Sequence, residues 1–113
     1  MKTTELTGAA LDWAVTKCEG IKIGQPEGRT FESEWSLMHD AGDMNYSTDW
    51  AQGGPIIDRE RINPEWMPHS ECWMANCVAD RTPYEGSTPL IAAMRCYVAS
   101  KLGDEIDLPK ELA

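Results

Sequence analysis

His69, Cys72 and Cys77 follow one another with two and then four residues between them. Imidazole and thiolate are the donors zinc prefers, and Cys18, Cys96 or His39 offers a fourth ligand. Structural zinc usually draws on two close ligand pairs, whereas this chain has one loose trio. Alternation along Glu71–Ala79 also sends Cys72 and Cys77 to opposite faces of a strand. The four cysteines are therefore read as free thiols, and no metal is assigned. His39-Asp40 with Asp43 is similar to the His-Asp doublet by which phosphohydrolases hold a metal. Such centres need several His and Asp ligands, and the chain has two histidines in all. There is no Gly-x-Ser-x-Gly elbow, and Gly53-Gly54 lacks the Lys and Ser/Thr of a phosphate loop. A cysteine nucleophile needs an adjacent base, which no spacing here supplies. No catalytic residue and no cofactor are assigned, and a non-enzyme is expected.

The run Tyr46-Ser-Thr-Asp-Trp-Ala-Gln-Gly-Gly-Pro-Ile-Ile57 carries chemistry of another kind. Its glycines let a partner's backbone come close, while Tyr46, Asp49, Trp50 and Gln52 offer contact area and hydrogen bonds. These four residues form the candidate interface. The competing reading has Thr48 and Asp49 capping a helix, Trp50 packed inward and Gly53-Gly54 making a tight crossing.

The elements that must position these residues are legible in part. At 113 residues the chain is read as one domain, residues 1–113, able to bury roughly 65% of its unfolded surface without disulfides. Thr7 suits an N-cap, Leu6 and Leu11 have the spacing of a hydrophobic staple, and Gly20 suits a left-handed end, so a helix is expected at 8–19. Its apolar stripe is Leu11, Ala14, Val15 and Cys18. Ile21-Lys-Ile23 starts like a strand, and residues 24–45 are loop-rich. Within them Thr30–Leu37 alternates as a strand would, and Met38–Asn45 reads as loop. Gly53-Gly54 weakens helix, so Pro55–Arg61 is read as a short helix restarted at the proline. Asn63-Pro64 and Met67-Pro68 mark an irregular crossing. Glu71–Ala79 reads as a strand and Asp80–Gly86 as a loop. A last helix runs from the Thr88 cap and Pro89 to Gly103, with Leu90, Met94, Tyr97, Val98 and Leu102 as its stripe. Residues 104–113 form a polar tail that frays. The class is α+β: a small three-layer α/β/α sandwich, with a short, mainly antiparallel sheet between an N-terminal and a C-terminal helix.

Charge removes several function classes. The net charge is −9, and the ten basic residues are scattered, so direct nucleic-acid binding lacks its electrostatic footprint. No stretch approaches the roughly 18 apolar residues of a membrane span, and Met1-Lys-Thr-Thr-Glu-Leu is no signal peptide. A cytoplasmic protein is expected. Five tryptophans against one phenylalanine favour core margins and interfaces, a homodimer contact included.

Three blocks carry a likeness: Leu6-Thr-Gly-Ala-Ala-Leu-Asp-Trp-Ala-Val15, Tyr46–Ile57 and the Thr88–Gly103 helix. On these the sequence resembles the NinX-type proteins of lambdoid phages. More distantly, Tyr46-Ser-Thr-Asp49 and Thr88-Pro-Leu-Ile-Ala92 resemble the phage α-β-α sandwich domain, in which a continuous helix follows the first motif. Gly53-Gly54-Pro55 departs from that pattern. The resemblance implies an accessory protein of the infected host cell and brings no catalytic residues. A module binding a host or phage protein is expected first. An acidic decoy of a DNA-binding protein comes second, and a small metal-dependent hydrolase last.

Overall fold

Gly8–Glu19 is helical, as its punctuation predicts, and is named α1. The computed structural model describes residues 1–20, 30–77, 82–109 and 112, and of residues 31–33 the backbone alone. Leu6 and Leu11 are both fully buried, as a staple requires. Gly20 takes the left-handed conformation at φ 66°. Thr7 stands at the cap in extended geometry, but its side chain makes no capping bond. Residues Leu11 to Thr16 are buried without a break, so α1 is covered on all sides there rather than along one stripe.

The segment read as a strand at Thr30–Leu37 is instead α2, Phe31–Asp40, which also absorbs the start of the expected loop. Burial shows why. Alternation would put Trp35 and Leu37 on one face, yet Trp35 is 1% exposed and Leu37 54%. Trp35, Met38 and His39 instead recur at helical spacing, and the Trp35 indole donates to the Thr16 hydroxyl of α1 at 2.8 Å.

α3 runs unbroken through Trp50–Glu60, so the expected restart at Pro55 does not occur. The N–H that proline lacks would have served the carbonyl of Ala51, an exposed residue that water reaches. Gly53 is required by packing, because a Cβ there would collide with the Tyr46 carbonyl and the Leu90 side chain.

The sheet is antiparallel in the order β1-β2-β3, with β1 at Ile62–Met67, β2 at Cys72–Cys77 and β3 at Tyr84–Gly86. The stretch read as an irregular crossing is thus β1. Pro64 stands on β1, an edge strand, which is where a sheet tolerates proline. The Asp80–Gly86 segment, read as a loop, contributes β3 at its end. Ile62, Ala75, Cys77, Tyr84 and Gly86 turn inward, while Asn63, Glu65 and Glu85 face away. The Ile21–Ile23 strand start and Ala79 lie outside the described residues.

α4, Pro89–Leu102, begins at the Thr88 hydroxyl, which accepts the Ile91 N–H at 3.1 Å. It is buried nearly all round, from Leu90 to Ala99, while Leu102, expected in its stripe, is 44% exposed. α4 lies across all three strands, and α1 and α3 pack on it. Ala92, Ala93 and Gly86 make the approach close; a Cβ on Gly86 would strike the Ala92 backbone. The α+β class, with helices packed on a short antiparallel sheet, is as expected.

The expected fraying of 104–113 does not hold for its first part. Ile106 is 5% exposed, its N–H donates to the Met1 carbonyl at 2.9 Å, and Lys2 bridges Glu105.

Candidate functional site

The Tyr46–Gln52 segment is held by hydrogen bonds that start from its own side chains. Asp49 caps α3 by accepting the Ala51 N–H at 2.9 Å. Gln52, one turn into the helix, reaches back: its Oε1 accepts the Asn45 N–H at 2.6 Å, and its Nε2 donates to the Gly42 carbonyl at 2.9 Å. These two residues of the candidate interface therefore staple a loop. Tyr46 is 8% exposed and belongs to the core; burial, then the nearby Glu19 charge, pushes its phenol above the ordinary value. Trp50 is the member that faces out, at 54% exposure. The structure brings all four into one segment and presents one of them to solvent.

Trp50 borders a shallow groove of about 210 Å3, shared with Ser47, Thr48, Thr88, Leu90 and Ile91. The groove lies where α3 and α4 both begin, so the Tyr46–Ile57 run and the start of the Thr88 helix meet in space.

Beneath this loop is a cluster that sequence reading missed. Asp12, 2% exposed, accepts the Ser47 N–H at 2.8 Å and meets His39 Nε2 at 2.8 Å. His39 stacks on Trp35 with centroids 4.6 Å apart. Ser, His and Asp thus stand together, the residue types of a hydrolytic triad. The connections differ from a triad's. Ser47 engages Asp12 through its backbone, and its hydroxyl has no hydrogen-bond partner among the described residues. The signal in the sequence was Asp12 itself, an acid set between Leu11 and Trp13 in an apolar stretch.

A second network joins the far ends of α1, α3 and α4. Arg59 grips the Glu19 carboxylate through both nitrogens at 3.1 and 2.6 Å, and Tyr97 donates its hydroxyl to the same group at 2.5 Å. Burial alone would raise the Glu19 carboxyl, but the Arg59 and Tyr97 hydrogen bonds hold it below its ordinary value. Burial, then the Glu19 hydrogen bond, pushes the Tyr97 phenol up. Burial, followed by the Glu19 charge, pushes the Cys18 thiol up to about 12, so it is a protonated thiol rather than a nucleophile at neutral pH.

The metal candidates are spread out. Cys77 is on the inner face of β2, Cys72 alternates to the other face, His69 is exposed in the turn between β1 and β2, and Cys96 is buried in α4. His39 is engaged with Asp12, and Asp40 and Asp43 are exposed. Among the described residues no three His, Cys, Asp or Glu side chains gather as a metal ion needs.

The model of the family described as Bacteriophage P22, NinX matches residues 2–101 of the chain. No curated protein matches it.

Proposed function

We propose, for a chain that belongs to the phage NinX family, a non-enzymatic module that binds a host or phage protein in the cytoplasm of the infected cell. Family membership supports the coarser statement, a phage accessory protein. The observation that supports binding is Trp50, 54% exposed beside an apolar groove, on a segment that Asp49 and Gln52 hold rigid. A large, preordered aromatic next to a pocket is the usual anchor of a protein interface, because little conformational entropy is lost when it is covered. Tyr46 supports the surface from inside rather than touching the partner. Among the described residues no helix is long and apolar enough to cross a membrane.

The test is affinity capture from infected-host extract with the wild type and with Trp50→Ala, after nuclease treatment and at high salt. A partner held by the wild type and lost by the variant supports the module. A partner retained by a folded Trp50→Ala variant overturns it. Binding that disappears with salt alone belongs to the acidic-decoy reading, for which carboxylates rather than Trp50 carry the contact.

A further inference from the structure

We infer that the pocket between the Thr3–Glu5 turn, the edge of β3 and Arg95 of α4 binds a small organic monocarboxylate through the Arg95 guanidinium. This site shares no lining residue with the Trp50 groove, so it is independent of the binding-module reading. Arg95 is the one charged residue in the stretch of α4 from Leu90 to Ala99. Its Nε donates to the Leu6 carbonyl at 2.8 Å and its Nη1 to the Glu85 carbonyl at 2.7 Å. Both acceptors are neutral. These two anchors on different elements fix the guanidinium, while Nη2 has no hydrogen-bond partner among the described residues. Arg95 is half-buried and its bond to Glu85 lies at the exposed end, so the guanidinium can be reached from outside.

No carboxylate answers this charge among the described residues. Acidic residues outnumber basic ones 19 to 10, and Arg59 and Lys101 both pair with acids. Arg95 bonds to backbone alone. Strand alternation gives the reason: Glu85 turns its side chain to the outer face of β3, while Arg95 arrives from α4 on the inner face. Burial, the larger effect, lowers the guanidinium below its ordinary value, and the Glu85 charge opposes this only in part. A cation that burial has made costly gains most when an anion reaches it.

The rest of the lining selects the ligand. The pocket volume of about 380 Å3 falls inside the roughly 300–1,000 Å3 of small-molecule sites. Thr4, Met74, Pro83, Tyr84 and Glu85 complete the walls, so Arg95 is the one cation among them and Glu85 the one acid. A phosphate dianion would meet a single guanidinium and an opposing carboxylate. A monocarboxylate matches the guanidinium in charge and in planar shape. Met74, Pro83 and Tyr84 offer apolar surface to the body of the molecule, and the Met74 thioether suits an aromatic ring.

The experiment titrates the isotope-labelled full chain with phenylacetate, phenylacetamide and phenyl phosphate, following the Arg95 Nε–H and the backbone amides of Glu85 and Met74. Phenylacetate should give saturable shifts at all three, with phenylacetamide weaker by about tenfold or more, since charge-assisted bonds are lost. Phenyl phosphate should bind more weakly than phenylacetate. Arg95→Met, its fold checked by spectral dispersion, should abolish the preference for acid over amide. Equal affinity for acid and amide in the wild type, or no shift at Arg95 and Glu85 with either, would overturn the carboxylate site. Tighter binding of phenyl phosphate would overturn the choice of a monocarboxylate. A folded Arg95→Met protein that still prefers the acid would overturn the role of Arg95, and the wild-type comparison decides the matter if that variant does not fold.

Discussion

The Asp12 carboxylate on α1 accepts the backbone N–H of Ser47 at 2.8 Å across 35 residues of chain, with the aspartate almost wholly enclosed. Its second oxygen meets His39 Nε2. One buried acid therefore ties α1, α2 and the loop before α3 together, and the loop carries the groove. Asp12→Ala should destabilise the fold by about 3 kcal/mol, since it strands a buried N–H and the imidazole. Asp12→Asn, which keeps an acceptor for Ser47, should lose less. Urea denaturation of the three proteins measures both.

Adjacent glycines in α3 should respond with opposite signs. Alanine favours a helix over glycine by about 1 kcal/mol. At Gly54 the nearest atom to a new Cβ is in the Trp50 ring at 3.9 Å, so Gly54→Ala should stabilise. At Gly53 the Cβ would meet the Tyr46 carbonyl and lie 2.7 Å from Leu90 Cδ2. Gly53→Ala should destabilise by about 2 kcal/mol, as overpacking does. Thermal melts of the pair give the signs directly.

Glu19 sets part of the acid limb of stability. Its folded carboxyl is held below the ordinary value of 4.5, so the unfolded chain binds the proton more tightly. The stabilisation is present above that value and is lost as pH falls through the folded one. Glu19→Gln should lower stability at neutral pH, and its deficit should shrink as both proteins are acidified below about pH 4. Denaturation midpoints across pH 3–7 for both proteins provide the check. A constant deficit would show that the charge contributes nothing.

The segment after α4 is structural. Ile106→Ala should cost about 2–3 kcal/mol, because its side chain is 5% exposed against the core and leaves a cavity when truncated. Leu102→Ala, at a side chain 44% exposed, should change stability by much less.

How far the fold was legible depended on where the information was stored. α1 and α4 were readable because their ends are marked by local chemistry: Gly20 and Gly103 at the C-termini, Thr88 and Pro89 at one N-terminus. β2 was readable from its alternation. α2 was not legible because Trp35 and Leu37 also fit a two-residue period, and the burial of Trp35 against Thr16 with Leu37 left exposed decides between the periods. β3 is three residues long, too short to carry a pattern, and exists because β2 pairs with it. The candidate site was legible as a segment and not as a surface. Tyr46 and Trp50 are four residues apart and equally aromatic, yet one is inside and one outside.

By itself the sequence determined the α+β class, the two helices with marked ends, the net negative charge and the family. Each is written in local spacing or in composition, which need no knowledge of what lies opposite. The tertiary structure alone decided that Gly53-Gly54-Pro55 sits inside a continuous helix, that α4 is buried nearly all round from Leu90 to Ala99, and that Asp12, His39 and Ser47 meet. It also decided that two helix N-termini share one groove. These depend on packing between segments far apart in the chain, where Tyr46 and Leu90 press against Gly53 and override its local preference for a break.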